Sequence, residues 1–328
     1  MMRVENLYPI KFVPILQEKI WGGEKLTSQF NKKSSAQKIG ESWELSGVEN
    51  CISVVANGEF KGLTLVDLIQ QFTSSFVGRK IYKQFGTEFP LLFKFIDAKE
   101  DLSIQLHPND ALAKKRHNSF GKTEMWYVME ADPDSKLYAG FVCKLNKDLY
   151  IKALDNGELV ELIHEDHATK GDAFFIEVGT IHAIGKGILI AEIQQTSDIT
   201  YRVFDWNRTD REGVARELHT ELALDALDFS KIGSCKLAYE NNLHTPNQIY
   251  SGTYFTTNKI NLDTSHWVRD VSEIDSFVVY MCVNGEGVIS INGNKEMVQK
   301  GETVLVPAMC KKIEISTLGT FEALEVYI

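Results

Sequence analysis

No stretch of this chain approaches the roughly 20 consecutive apolar residues that a membrane-spanning helix requires. The opening run Met1-Met-Arg-Val-Glu-Asn6 also lacks the apolar segment of a signal peptide. Neither a spanning helix nor a secretory leader is expected, and the expected compartment is cytoplasmic. Cysteine is sparse: Cys51, Cys143, Cys235, Cys282 and Cys310 are odd in number, widely scattered and without a CxxC pair. That pattern argues against a disulfide framework and against a thiolate zinc site, and predicts reduced, mostly buried thiols. Basic charge is also in deficit. A formal net charge of -10 opposes nucleic acid or an anionic membrane as main partner, because either selects a basic field. An anionic small molecule would need locally gathered basic residues instead.

With 328 residues, 44% hydrophobic and 24% charged, the chain can bury the cores of two globular domains. From about Cys51 onward, short β-rich runs alternate with turn residues. Pro90 to Asp97, Ser103 to His107, Met125 to Met129, Ala173 to Val178 and Ile188 to Ile193 read as strands. Helices are expected near Ile69 to Phe76, after Asn109 or Asp110 as cap, over Tyr150 to Ile163, and around Arg216 to Leu227, where Leu218, Leu222 and Ala226 recur every four residues. Many strands with few helices predict a mainly β barrel or sandwich. Tyr239 to Asn247 reads as a linker. Beyond it, Phe277 to Val283, Gly287 to Ile291 and Thr303 to Val306 read as strands, with Asn284-Gly285 and Asn292-Gly293 as hairpin signals.

Four runs carry chemistry: Ser103-Ile-Gln-Leu-His-Pro-Asn-Asp110, Lys122-Thr-Glu-Met-Trp-Tyr127, Gly179-Thr-Ile-His-Ala-Ile-Gly185 and Glu192-Ile-Gln-Gln-Thr-Ser-Asp-Ile-Thr-Tyr-Arg202. In a strand, alternate side chains share a face, so Ser103, Gln105 and His107 point one way, as do Lys122 with Glu124 and Thr180 with His182. Neutral imidazole and carboxylate suit a divalent ion such as zinc, and an open coordination position makes such a site catalytic. His164-Glu-Asp-His167 has metal-like spacing too, but reads as a solvated acidic turn.

The four runs resemble those of the type I mannose-6-phosphate isomerases, zinc enzymes of the cupin superfamily, and the likeness extends over most of the first 230 residues. The resemblance implies two cupin-type (double-stranded β-helix, jelly-roll) barrels: a catalytic domain over residues 1–238 and a cupin-like β domain over 239–328 without metal ligands. It implies one Zn²⁺ per chain, held by Gln105, His107, Glu124 and His182. Lys170-Gly-Asp-Ala-Phe-Phe-Ile-Glu-Val is echoed by Lys300-Gly-Glu-Thr-Val-Leu-Val-Pro-Ala, which sets Lys312 where His182 stands. A lysine there cannot ligate. Only 58 positions separate Glu124 from His182, so the chain is similar to the short bacterial form of the family, without the large helical insertion of longer forms.

The implied activity is interconversion of mannose 6-phosphate and fructose 6-phosphate through an enediol. Arg202 matches the family's catalytic arginine; pairing with Asp198 or Asp205 at the barrel rim is its bland alternative. Glu192 is the first candidate for the general base, with metal-bound water, a ligand histidine or Lys122 as other proton carriers. Ser103, Lys94 and Lys122 are candidates for the sugar phosphate. Lys94 sits in an apolar run, where a lysine is either in use or snorkelling from an edge. Trp21, Glu41 and Trp43 are candidates for the pocket wall. Two other functions stay open at this point: an iron-dependent cupin dioxygenase, since two histidines and a carboxylate also form a facial triad, and a non-catalytic sugar-binding module. Nothing in the sequence sets the oligomeric state.

Overall fold

The computed structural model of the chain describes residues 7–36, 38–209 and 212–328, so the opening six residues discussed above lie outside it. Most of its regular structure is strand, in three sheets, as a cupin architecture requires. A seven-stranded sheet runs in the order Ile15–Gly23, Ile39–Leu45, Leu91–Ala98, Ile188–Gln195, Glu124–Ala131, Ala173–Ile176, Lys236–Leu237. A five-stranded sheet runs Tyr201–Phe204, Ile104–Leu106, His182–Ile184, Lys136–Phe141, Ile163–His167. The remaining eight strands belong to residues 247–327 and are built around the long strand Val278–Ile291. No helix of the described residues is long and apolar enough to cross a membrane.

The central strands of the seven-stranded sheet are buried along their whole length because each face meets a different core. Leu91, Phe93 and Phe95, with Met125, Tyr127, Met129, Leu189, Ala191 and Ile193, pack outward into one cluster. That cluster also takes in Phe277, Val279, Met281, Leu305, Leu324 and Val326 from the C-terminal strands. Ile96, Trp126, Val128, Ile188 and Ile190 pack inward against Leu137, Ala139 and Ile184 of the five-stranded sheet. A polar residue at an inward position of such a strand therefore faces the space between the two sheets. Lys94 and Glu192 are the charged residues at those positions, and Glu124 and Glu41 join them in the same cavity from neighbouring strands. The C-terminal strands enclose a further apolar cluster of their own, from Ile260 to Ala323.

Several local expectations are corrected. Asn284-Gly285 does not turn the chain: Val278–Ile291 runs straight through it, with a register slip between Cys282 and Asn284. Asn292-Gly293 is the tight hairpin, both residues at positive φ (51° and 82°) between the paired Ile291 and Asn294. The helix expected over Arg216 to Leu227 forms only over Thr220–Ala226. Leu218 and Leu222 are exposed and Ala223 is the buried residue. The preceding residues are drawn out of helix because His219 and Arg202 exchange backbone-directed hydrogen bonds and Arg216 grips Asp205. The helix expected over Tyr150 to Ile163 ends at Asn156, where Gly157 adopts the left-handed cap. His164-Glu-Asp-His167 then lies in an edge strand, Ile163–His167, not in a turn. Of the five free cysteines, Cys282 and Cys310 are buried but Cys143 is exposed.

Candidate metal centre and active site

Cross-strand register sets two rows of side chains against each other. In the seven-stranded sheet, Trp43, Lys94, Glu192 and Trp126 stand directly opposite one another on four adjacent strands. In the five-stranded sheet, Arg202, Gln105 and His182 do the same on three. Both rows border a cavity of about 120 Å³, which Trp21, Glu41, Ser103, Lys122, Glu124, Asp198 and Arg216 also line. Strand ends and centres supply most of these groups, so their spacing is held by backbone ladders and not by loops.

His107, Glu124 and His182 converge, with one potential ligand atom from each within 4.8 Å of the others. Each histidine Nε2 lies 3.4 Å from a different oxygen of Glu124. Their other ring nitrogens are committed: His107 Nδ1 donates to the Ile199 carbonyl at 2.8 Å and His182 Nδ1 to the Thr180 carbonyl at 2.9 Å. A carbonyl only accepts, so both rings are held with the Nε2 lone pair facing inward, as metal ligation needs. Both Glu124 oxygens and His182 Nε2 are buried without a hydrogen-bond partner, Oε2 having the Lys122 ammonium beside it as an ion-pair partner, a state that a bound cation would relieve. The donor set therefore fits a divalent ion. It is the one such His/Cys/Asp/Glu group of three or more among the described residues; His164 Nε2 lies 3.6 Å from Asp166 Oδ1, but neither it nor His167 joins such a group. Gln105 borders the cavity, with its Oε1 accepting from Ser103 Oγ at 3.3 Å.

Electrostatics agree with this geometry. Burial, then the Lys122 ammonium, pushes His107 down to about 3, so its ring is neutral. Burial likewise lowers His182. Burial pushes Glu124 upward, but the opposing influences, led by the Lys122 ammonium, outweigh it and hold the carboxyl well below its usual range. Lys122 Nζ stands 3.1 Å from both Glu124 Oε2 and His107 Nε2.

Glu192 belongs to a second, separate polar group. Its Oε2 lies 3.1 Å from Lys94 Nζ, and its Oε1 accepts from Trp126 Nε1 at 3.0 Å. Burial raises its pKa, with Lys94 opposing and Glu124 adding to the rise. Lys94 is buried, ionised by Glu192 and Glu41 against its own desolvation, and lies over the Trp43 ring; it does not snorkel. Arg202 is bonded to Ser103 Oγ through Nε and to the Glu217 carbonyl through Nη1. Asp205 pairs instead with Arg208 and Arg216, so the rim pairing of Arg202 with Asp205 does not form. Five cationic side chains against four carboxylates line the cavity, a local excess of positive charge in an acidic protein. All twelve sequence-predicted site residues lie at this one place. Sequence reasoning assigned no role to Trp126 or Arg216. Trp126 was within reach, since it is two residues beyond Glu124 on the same strand face, whereas Arg216 arrives from a segment that reads as helix.

Comparison with known proteins matches residues 10–136 to the catalytic domain of type I phosphomannose isomerase and residues 247–328 to the cupin domain of mannose-6-phosphate isomerase. The mannose-6-phosphate isomerase ManA of Bacillus subtilis is 34% identical over 91% of this chain and 93% of its own length. The mannose-6-phosphate isomerase of Streptococcus mutans is 33% identical over 90% and 91%. A crystal structure of the mannose 6-phosphate isomerase from Bacillus subtilis superposes with a TM-score of 0.87 at 30% identity, covering 98% of this chain and 100% of that one. Phosphomannose isomerase from Salmonella typhimurium, 16% identical with a TM-score of 0.77, shares the fold.

Proposed function

The chain belongs to the type I mannose-6-phosphate isomerases, and we propose that it interconverts mannose 6-phosphate and fructose 6-phosphate through an enediol, with one zinc ion held by His107, Glu124, His182 and Gln105. The observation that carries this reading is the pairing of two distinct buried groups around one cavity: a His–Glu–His set in which Glu124 and His182 Nε2 lack hydrogen-bond partners, and a lysine-held carboxylate. Bound zinc would supply Lewis acidity toward the sugar's oxygens. Glu192, raised above an ordinary glutamate, takes the proton from one sugar carbon and returns it to its neighbour. Lys94 and Trp126 orient that carboxylate. Arg202, fixed by Ser103 and the Glu217 carbonyl, offers the remaining edge of its guanidinium to the charge growing on the enediolate oxygens. The cation excess of the cavity draws the phosphate, with Ser103, Lys94 and Lys122 as candidate contacts, while Trp21 closes one wall.

Residues 1–238 then form the catalytic unit and 239–328 a domain without ligands: Lys312, at the His182 position of the repeat, opens the exposed start of its strand. An assay coupling fructose 6-phosphate formation to a chromogenic step tests the reading. Turnover should vanish after chelation and return with zinc. Iron-dependent oxygen uptake without isomerisation, or sugar-phosphate binding without turnover, would overturn it.

A further inference from the structure

The metal-ligand strand does not enter the site unsupported. Residues 121–123, which lead Lys122 and Glu124 into the cavity, have every backbone N–H tied down from outside. Gly121 N donates to Asp110 Oδ1 at 2.8 Å and Lys122 N to the Pro108 carbonyl at 3.3 Å. Thr123 N donates to Gln195 Oε1 at 3.0 Å. The two side-chain anchors are themselves joined, since Gln195 Nε2 donates to Asp110 Oδ1 at 2.9 Å. Asp110 Oδ2 then accepts from Tyr254 Oη at 2.7 Å, and Tyr254 lies in the connection between the C-terminal strands Asn247–Ser251 and Thr256–Leu262, 144 positions away. A Cβ on Gly121 would lie 2.7 Å from Asp110 N, so only glycine allows this close approach.

We infer that Tyr254, through Asp110 and Gln195, is a positioning residue by which the C-terminal domain sets the placement of Lys122 and Glu124 in the catalytic cavity. Such a role explains why a domain without ligands is joined to the site by a chain of directed hydrogen bonds. A carboxylate accepting three of them has little freedom, and the segment it holds carries both a ligand and the cation beside it. Tyr254, Asp110 and Gln195 also border a separate cavity of about 380 Å³. Water there can reach Asp110 when the tyrosine hydroxyl is removed, so Tyr254→Phe leaves no stranded carboxylate.

The inference rests on the reading of Glu124 as a zinc ligand, and the experiment separates the two. Zinc-loaded wild type, Tyr254→Phe, Asp110→Ala, Asp110→Asn and the double variant Asp110→Ala/Tyr254→Phe are compared for kcat, KM, zinc affinity by chelator competition, and thermal unfolding of the metal-free form. Asp110→Ala should lose about tenfold in kcat and in zinc affinity, the size expected for supports behind a metal ligand. Tyr254→Phe should lose about fivefold in both, with KM and unfolding temperature unchanged, and Asp110→Asn should recover most of the Ala loss. On the Asp110→Ala background Tyr254→Phe should have no further effect, because the chain is already cut. Wild-type kcat and zinc affinity in Tyr254→Phe, additive losses in the double variant, or losses tracked by a lowered unfolding temperature would overturn it. A wild type that neither binds zinc nor turns over would overturn the metal assignment instead.

Discussion

Lys94 and Glu192 face each other across the centre of the seven-stranded sheet, with Nζ 3.1 Å from Oε2 and both side chains buried. The pair has a kinetic consequence with a definite sign. Burial raises Glu192 above the ordinary 4.5, and Lys94 is the largest influence opposing that rise. A base acts only when ionised, so kcat/KM should fall on the acid side through a pKa above 4.5. Replacing Lys94 by Met removes the opposing charge, and the acid limb should move to still higher pH. A pH profile in which Lys94→Met leaves the limb in place would remove Glu192 from the base role.

Arg202 makes two directed contacts, to Ser103 Oγ and the Glu217 carbonyl, and neither is an ion pair. Among the described residues its charge is therefore uncommitted to a carboxylate partner and available to the substrate. Arg202→Ala should retain metal and fold while kcat drops by about 100-fold or more, as for other lost oxyanion stabilisers. Arg202→Lys should recover little, because an ammonium cannot reproduce a fork that holds two positions and still presents a free edge. Circular dichroism and metal content, measured beside turnover, separate loss of chemistry from loss of structure.

Zinc uptake should be nearly proton-neutral at pH 7. Free histidine ligands commonly lose protons as metal binds, but His107 lies at about 3, and His182 is also lowered. Glu124 is held ionised by the same surroundings. Calorimetric titration of the metal-free protein with zinc, in buffers of differing ionisation enthalpy, counts the protons released. A count near zero is expected, whereas about one proton per zinc would show that a ligand nitrogen is protonated before the ion arrives.

The site was legible because its strands are buried on both faces, so that one charged residue inside an apolar run marks the inward position. Lys94 within Leu91-Leu-Phe-Lys-Phe and Glu192 within Ile188 to Ile193 stand out for that reason. The period of two then groups Gln105 with His107 and Trp126 with Glu124. What depends on distant partners was not legible. Arg216 looks helical until Asp205 is seen to take it, and Tyr254 carries no local sign of reaching Asp110. The shared cluster that binds Phe93 and Met125 to Met281 and Leu324 is likewise a product of tertiary packing. No periodicity within either segment reports it.

The two Asn-Gly pairs of the C-terminal domain make a final contrast, because identical dipeptides do different work. Gly293 sits at φ 82° in an open hairpin with no atom within 4 Å of where a Cβ would stand. Gly293→Ala should therefore cost only the left-handed backbone penalty, about 1 kcal/mol. Gly285 has a similar φ of 72°, but its Cβ would fall 1.8 Å from the Thr320 carbonyl oxygen. That oxygen is backbone, and it already accepts from Glu286 N at 3.1 Å, so it cannot swing aside. Gly285→Ala should add overpacking to the backbone penalty and cost about 3 kcal/mol or more. Denaturant unfolding of the two variants checks the difference. Equal destabilisation would mean that Asn284-Gly285 is a turn after all, and that the long strand Val278–Ile291 breaks where the dipeptide alone suggests.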